Sequence, residues 1–96
     1  MTDPIIEKLK SLKPLLTEEM GMTRLRVFGS RVNNNVHEDS DIDLIVDFDK
    51  KPSLLTFIGY KQSLEDELNV PVDLLTEQSI DKYIKNKVLS EAIDVF

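Results

Sequence analysis

Apolar residues recur along this chain with two different periods, and the periods predict its helices and strands. Spacings of three and four residues indicate amphipathic helices, whereas strict alternation indicates strands with one buried face. The predicted elements are a helix over 4–20, strands over 24–28 and 41–47, a helix over 54–68, a strand over 70–75 and a helix over 82–90. This order predicts an α/β (α+β) fold with a small mixed β-sheet and helices packed mainly on one face.

Prolines, a glycine and short polar residues set the expected boundaries in the first half of the chain. Asp3 followed by Pro4 is a typical helix start. Pro14 is expected to kink this helix or to restart it, and Gly21 is expected to end it as a C-terminal cap. Ser53 is expected to cap the helix over 54–68.

The second half of the chain has fewer boundary signals. Pro71 places the third strand at a sheet edge or at its own first residue, and Thr76 is expected to cap a short helix. Residues 92–96 fit either a short edge strand or a continuation of the last helix, and the pattern leaves both possibilities open.

The helix over 54–68 carries one apolar stripe. The side chains expected to face the core are Leu54, Phe57, Ile58, the stem of Lys61, Leu64 and Leu68. Lys61 and Glu65 are four residues apart on the helix, so they are expected to form an exposed ion pair that contributes only a few tenths of a kcal/mol.

The composition indicates one small globular domain without thiol chemistry or a histidine-rich metal site. The chain has 96 residues, of which 41% are hydrophobic and 31% are charged, and this fits a single domain over 1–96. It has no cysteine and one histidine, His37, which excludes disulfides, thiolate zinc sites and histidine-rich metal sites. No apolar run approaches the roughly 18 residues of a membrane span, and no signal-peptide core is present, so we expect a cytoplasmic protein.

The charge balance limits the partners that the chain can bind. Its 18 acidic and 12 basic residues give a net charge of −6. Direct binding of a nucleic-acid backbone requires clustered Lys and Arg, so it is not expected here. A nucleotide bridged by a metal ion is compatible with the charge, because a bound cation reverses the local field.

Two acidic residues share one face of the predicted strand 41–47. Asp41 and Asp43 alternate with Ile42 and Leu44, so their Cα atoms are expected about 6.6 Å apart. At an effective dielectric of about 20, two unit charges at that distance repel by roughly 2.5 kcal/mol, and Asp is a poor strand former. Bound Mg²⁺ would turn the repulsion into attraction, whereas the outer face of a solvated strand would tolerate it. The pair alone leaves both interpretations open.

A third acid occurs in the apolar strand over 70–75. Asp73 alternates with Val72 and Leu74, so it emerges on the face of Asp41 and Asp43 if both strands pack on the same core. Three converging carboxylates could hold two Mg²⁺ ions for in-line phosphoryl displacement. Taken alone, Asp73 is equally consistent with an ordinary acid on an edge strand.

The first predicted strand ends in Gly29-Ser30. Glycine permits a tight corner and the close approach of a ligand to the backbone, and backbone N–H groups of the following turn, with the Ser30 hydroxyl, can hold phosphate oxygens. Alone, this dipeptide is merely a turn after a strand. Its combination with the largely polar run of ten residues that follows and with the acids at 41, 43 and 73 is much more specific.

This combination resembles the signature of the nucleotidyltransferase superfamily that includes DNA polymerase β. The matching residues are Val27-Phe28-Gly29-Ser30 and Ser40-Asp41-Ile42-Asp43-Leu44. In size and strand order the chain looks like the minimal nucleotidyltransferases (MNT), which are the antitoxin halves of HEPN/MNT toxin–antitoxin pairs. The resemblance covers nearly the whole chain and implies the nucleotidyltransferase fold over a single minimal domain, 1–96.

The resemblance also implies an activity and a site. The implied reaction is a Mg²⁺-dependent transfer of AMP from ATP to a hydroxyl, expected to be a tyrosine, of a partner HEPN ribonuclease toxin encoded nearby. Two Mg²⁺ ions and a hetero-oligomer with the toxin are expected, and neither nucleic acid nor a membrane is an expected partner. The implied nucleotide-binding residues are Gly29, Ser30 and Arg31, and the implied catalytic and metal-binding residues are Asp41, Asp43 and Asp73.

The loop after Gly29-Ser30 departs from the family pattern. The family usually has Ala-Arg-Gly there, but this chain has Asn33 in place of the arginine and Asn34 in place of the glycine. Loss of the arginine could weaken contacts to phosphate, and Arg31, Arg24 and Arg26 are candidates to replace it.

Two other functions remain open from the sequence. A catalytically weak or inactive nucleotidyltransferase-like module could neutralise the partner by complex formation alone. Nucleotidyl transfer to a small molecule is the other possibility, although the short segment after the third strand leaves no room for an acceptor-binding domain.

Overall fold

A four-stranded sheet forms the centre of the molecule in the computed structural model, which describes residues 4–28 and 41–96. In chain order the elements are α1 (Pro4–Ser11), a π-helical segment (Leu15–Glu19), β1 (Met22–Phe28), β2 (Ile42–Phe48), α2 (Leu54–Leu68), β3 (Val72–Thr76), a 3-10 turn (Glu77–Ser79), α3 (Lys85–Glu91) and β4 (Ile93–Asp94). The strand order is β3-β2-β1-β4, with β2 and β3 parallel and the other pairs antiparallel. The predicted α/β fold with a mixed sheet is confirmed. None of the helices in these two ranges is long and apolar enough to cross a membrane.

One face of the sheet carries the hydrophobic core. Ile42, Leu44 and Val46 of β2 are fully buried there, as the alternation predicts. The other buried members of the core cluster are Ile6, Leu9, Leu16, Met20, Met22, Leu25, Val27, Leu64, Leu68, Val72, Leu74 and Val95. We call the opposite side of the sheet the acid face, since it carries the alternate β2 residues Asp43, Ile45 and Asp47.

The first helical region is interrupted near Pro14, as predicted. α1 ends at Ser11, and Pro14, with φ −57° and ψ −43°, is the N-cap residue of the π-helical segment. Proline has no N–H to donate, which disrupts a continuous helix. Gly21 then adopts φ +70°, the left-handed geometry expected of a glycine after a helix. Asp3, the predicted N-terminal cap, lies outside the described residues.

α2 has the predicted bounds, but its apolar stripe is buried only in its second half. The Ser53 hydroxyl accepts the backbone N–H of Thr56 at 3.2 Å, which confirms the predicted cap. Leu64 is 1% exposed, whereas Leu54 is 74% and Ile58 is 40% exposed. The predicted burial of Leu54 and Ile58 is therefore wrong. A helical period indicates which side chains share a face, but not how far along the helix the core extends.

The C-terminal residues form the short edge strand that was one of the two possibilities. Ile93 of β4 is the register partner of Val27 in β1, and Val95 is buried. α3 begins at Lys85 and not at 82. Thr76 precedes the 3-10 turn, but its side chain makes no capping hydrogen bond, so that predicted cap is wrong.

The segment between β3 and β4 runs from one edge of the sheet to the other. Its start is tied to the acid face by ion pairs: Glu77 contacts Arg26 at 3.5 Å, and Lys85 contacts Glu77 at 3.7 Å. Arg26 points to the acid face because both of its neighbours in β1 point into the core. The chain therefore leaves β3 over the same face that carries the acids.

Candidate active site

Asp41 and Asp43 lie at the start of β2. Asp41 directly precedes the strand, and Asp43 is its second residue. Ile42 and Leu44, which flank Asp43, have no exposed surface, so the alternation of the strand turns Asp43 away from the core. Asp41 is exposed and Asp43 is half-buried. The start of β2 thus combines one solvated carboxylate with one that is partly shielded from water.

β3 brings Asp73 to the side of Asp43. The two residues are register partners in the parallel pairing of β2 and β3, and neighbouring strands lie about 4.8 Å apart. Val72 and Leu74 on either side of Asp73 are buried in the core, so Asp73 points to the acid face. The tertiary structure therefore collects carboxylates from two separate parts of the sequence at one place.

The three carboxylates affect one another electrostatically. The pKa of Asp43 is raised above its ordinary value of 3.8, mainly by partial burial and further by the negative charges of Asp73 and Asp41. Burial and like charges both disfavour the ionised form of a carboxyl group. A cation bound here would offset both effects.

The donor chemistry of these residues fits Mg²⁺. This ion prefers oxygen ligands and commonly combines one or two carboxylates with substrate phosphates, and Asp41, Asp43 and Asp73 supply carboxylates. Within residues 4–28 and 41–96, no three acidic or histidine side chains lie close enough together to form a complete metal-binding group by themselves. A Mg²⁺ ion here would therefore take its remaining ligands from water or from substrate phosphates, as this ion commonly does.

The predicted nucleotide-binding residues Gly29, Ser30 and Arg31 lie outside the described residues, as does the divergent run Asn33–Asn35. The described part of β1 ends at Phe28, whose register partner is Asp43. β1 therefore ends directly beside the acidic site.

Two arginines of β1 that were candidates to replace the family's loop arginine are already paired with acids. Arg24 donates to Oδ1 of Asp94 through both Nε, at 3.1 Å, and Nη2, at 2.8 Å. The side chain of Arg26 is 8% exposed, and its Nη2 lies 3.4 Å from Asp47 and 3.5 Å from Glu77. Both arginines are therefore committed to contacts within the fold.

The partners of Arg26 were not foreseen from the sequence. Asp47 lies in β2 and Glu77 lies beyond β3, both far from Arg26 in the chain, so no local pattern connects the three residues. In the described part of the chain, Nε of Arg26 is buried without a hydrogen-bond partner. An arginine alternating with apolar residues in a strand was the one available sign of a buried charge.

The fold and the site together define a nucleotidyltransferase. A family model described as "Nucleotidyltransferase domain" matches residues 4–95, and the chain belongs to this family. Protein adenylyltransferase MntA of Thermococcus cleftensis is 39% identical to it over 94 residues, which cover 94% of this chain and 95% of the relative. The predicted enzyme class is confirmed.

Solved structures agree with this assignment. A protein assigned as a minimal nucleotidyltransferase is 36% identical and superimposes with a TM-score of 0.75, covering 92% of this chain and 93% of that one. A complex of the tri-AMPylated Shewanella oneidensis HEPN toxin with its MNT antitoxin contains a chain that is 20% identical, with a TM-score of 0.67 and coverage of 95% and 70%. The second likeness concerns the fold alone. The resemblance to minimal nucleotidyltransferases is confirmed.

Proposed function

We propose that this protein transfers AMP from ATP to a hydroxyl of a partner protein and thereby acts as an antitoxin. The acceptor that we expect is a tyrosine of a HEPN-type toxin. The observation that carries the proposal is the register of β2 and β3, which sets Asp73 beside Asp43 next to Asp41. A relative that is similar over nearly its whole length is named a protein adenylyltransferase, which supports a protein acceptor.

Each residue of the site has a proposed role. Asp41 and Asp43 would hold Mg²⁺, and Asp73 would share in binding if two ions were present. Bound Mg²⁺ neutralises phosphate charge and stabilises the charge that develops in the transition state. The proposed binding residues for the triphosphate are Gly29, Ser30 and Arg31.

The proposed reaction forms one P–O bond and breaks another. The acceptor hydroxyl oxygen attacks the α-phosphorus of ATP, the bond from that phosphorus to the oxygen bridging to the β-phosphate breaks, and pyrophosphate leaves. Asp73 accepts the hydroxyl proton, since a carboxylate within reach of the attacking oxygen can act as a general base. The products are an AMP ester of the acceptor and pyrophosphate.

The proposed partner is a HEPN-type toxin encoded near this chain. In the Shewanella oneidensis complex an AMPylated HEPN toxin is bound to an MNT antitoxin, which supports a hetero-oligomer here as well. The net charge of −6 disfavours direct binding to nucleic acid. The protein would therefore act on the toxin and not on the toxin's RNA substrate.

The direct test is to incubate the chain with ATP, Mg²⁺ and the product of the neighbouring gene, and then to measure the intact mass of that product. We expect a gain of one or more AMP groups. Asp41→Asn and Asp43→Asn should each reduce the transfer rate at least about 100-fold while the circular dichroism spectrum stays that of the wild type. The proposal is wrong if the wild type transfers nothing with either Mg²⁺ or Mn²⁺.

A second candidate function is neutralisation by binding alone, and the replacement of the family's loop arginine by Asn33 favours it. The two functions differ in a growth assay with the partner toxin. Under adenylyl transfer, Asp41→Asn should fail to rescue cells although its abundance and its binding to the toxin are normal. Rescue by this variant at normal abundance would favour the binding function.

A further inference from the structure

β3, the strand that carries Asp73, lies at an edge of the sheet and is hydrogen-bonded to β2 on one side. The N–H and C=O groups on the outer side of an edge strand have no strand partner, and segments with few backbone partners open more readily than central ones. The proposed chemistry nevertheless needs Asp73 at a constant distance from the two acids of β2. Some other contact must hold this edge.

The peptide group between Pro71 and Val72 is hydrogen-bonded on both sides. Its C=O accepts the N–H of Ile42 at 3.0 Å. Its N–H donates to Oε2 of Glu65 at 3.0 Å. A peptide group is planar and rigid, so these two bonds fix its orientation between β2 and α2.

This peptide group stands at the junction of the two halves of the acidic site. Ile42, which bonds to one side of it, lies between Asp41 and Asp43. Val72, which supplies its N–H, directly precedes Asp73. The orientation of this one peptide group therefore affects the position of Asp73 relative to Asp41 and Asp43.

Glu65 is suited to hold this peptide group. Its side chain is 29% exposed, so its hydrogen bond is partly shielded from water, and hydrogen bonds to charged acceptors are roughly twice as strong as neutral ones. Lys61 Nζ lies 3.8 Å from the same Oε2 atom and balances its charge. The ion pair expected from the helical spacing of these residues thus has a second partner, which is the edge of the sheet.

We propose that Glu65 is a positioning residue for Asp73: by accepting the Val72 N–H, it holds the edge strand so that Asp73 keeps its place beside Asp43. The inference rests on the proposed adenylyl transfer, in which these acids act together. What the contact requires is an acceptor oxygen at the full length of the glutamate side chain.

Two conservative variants separate the effect of side-chain length at position 65 from the effect of its charge. Glu65→Gln keeps the length and an acceptor oxygen but loses the charge, whereas Glu65→Asp keeps the charge but is one methylene shorter and does not reach Val72. Glu67→Asp is the matched control, because Glu67 also lies on α2 but contacts Lys8, at 3.8 Å, with both side chains about half exposed.

The first measurement is amide hydrogen exchange in the metal-free protein. We expect the Val72 amide to exchange about tenfold faster in Glu65→Asp, which corresponds to the loss of one hydrogen bond. Glu67→Asp should exchange at this amide as the wild type does, whereas Glu65→Gln should exchange faster than the wild type but slower than Glu65→Asp, because its neutral oxygen still accepts a weaker hydrogen bond. Unchanged protection of Val72 in Glu65→Asp would overturn the inference, because the bond would then not hold the edge.

The second measurement is the Mg²⁺ dependence of AMP transfer to the neighbouring gene product. In Glu65→Asp the Mg²⁺ concentration for half-maximal rate should rise about tenfold, and in Glu65→Gln it should rise clearly less, because the weaker bond to Val72 is kept. Equal losses in both variants would mean that charge and not the contact matters, and the inference would be wrong. It would also be wrong if Glu65→Asp exchanged fast at Val72 but kept normal Mg²⁺ dependence. A wild type without transfer would instead contradict the proposed function itself.

Discussion

At the scale of single residues, Asp43 is where the requirements of folding and of the proposed chemistry conflict. Folding places its side chain half-buried, and the negative charges of Asp73 and Asp41 lie close enough to raise its pKa. An ionised carboxyl group in such a place destabilises the metal-free fold. Stability alone would not favour this residue here, and a cation-binding role provides the physical reason for it.

Asp43→Asn should leave the metal-free melting temperature unchanged or raise it at neutral pH. The folded state binds the Asp43 proton more tightly than the unfolded chain does, so the wild type loses stability as the pH rises from the ordinary value of 3.8 through the raised folded pKa. The variant lacks the carboxyl group that ionises in this pH range. Its melting temperature should therefore exceed that of the wild type above the range and equal it below the range. Melting curves from pH 3 to 8, a range of about 5 units that spans the window, measure this.

The matched control is Asp49→Asn, at an exposed acid of the turn that follows β2. It should melt like the wild type over the whole pH range. A clear fall in the metal-free stability of Asp43→Asn at neutral pH would contradict the interpretation of Asp43 as a metal ligand, since it would mean that the carboxylate stabilises the fold.

At the scale of elements, two glycines of similar surroundings have opposite conformational roles. Gly21 has φ +70° after the first helical region, whereas Gly59 lies inside α2, and a Cβ added at either would meet nothing within 4 Å. A Cβ therefore has room at both positions, and the two glycines differ only in their backbone conformation. The position of Gly21 was expected from the sequence, because left-handed glycines commonly end helices.

Gly21→Ala should lower the free energy of unfolding by about 1 kcal/mol, because an L-residue is disfavoured at positive φ. Gly59→Ala should raise it by about 0.5–1 kcal/mol, because alanine is the better helix former and loses less entropy on folding. Urea unfolding followed by circular dichroism measures both variants. Stabilisation by Gly21→Ala would mean that the chain does not need the left-handed turn between the helical region and β1.

At the scale of the whole molecule, buried Arg26 connects regions that are far apart in the chain. It lies in β1, pairs with Asp47 of β2 and with Glu77 beyond β3, and Glu77 in turn contacts Lys85 at the start of α3. This network ties the segment between the two edge strands to the acid face. By contrast, Arg24 and Asp94 form a pair in which both side chains are about half exposed.

Arg26→Met should lower the free energy of unfolding by about 2 kcal/mol, because methionine fills similar space but removes the guanidinium that contacts both Asp47 and Glu77, although Glu77 keeps its contact with Lys85. Arg24→Met, the matched control, removes a solvent-exposed pair and should change it by less than about 1 kcal/mol. Chemical unfolding of both variants gives the comparison. Equal effects would show that burial of the Arg26 network adds nothing to stability.

Strand alternation predicted which face of the sheet each site residue lies on, but it could not predict which residues of other strands lie beside them. It put Asp43 opposite Ile42 and Leu44 whatever lay beside the strand, and the same rule applied to Asp73. The helical period, in contrast, gave a wrong prediction for Leu54 at the start of α2. Burial there depends on where the core ends and not on the period of the helix.

The sequence by itself determined most of the elements, the faces of their residues and the family, because these depend on local periodicity and on short motifs. Only the tertiary structure decided that Asp73 is the register partner of Asp43, that Arg26 is held by Asp47 and Glu77, and that Val72 at the edge of β3 donates its N–H to Glu65. The physical reason is that strand register and ion-pair partners are set by packing between distant parts of the chain. No local pattern in the sequence encodes those distances.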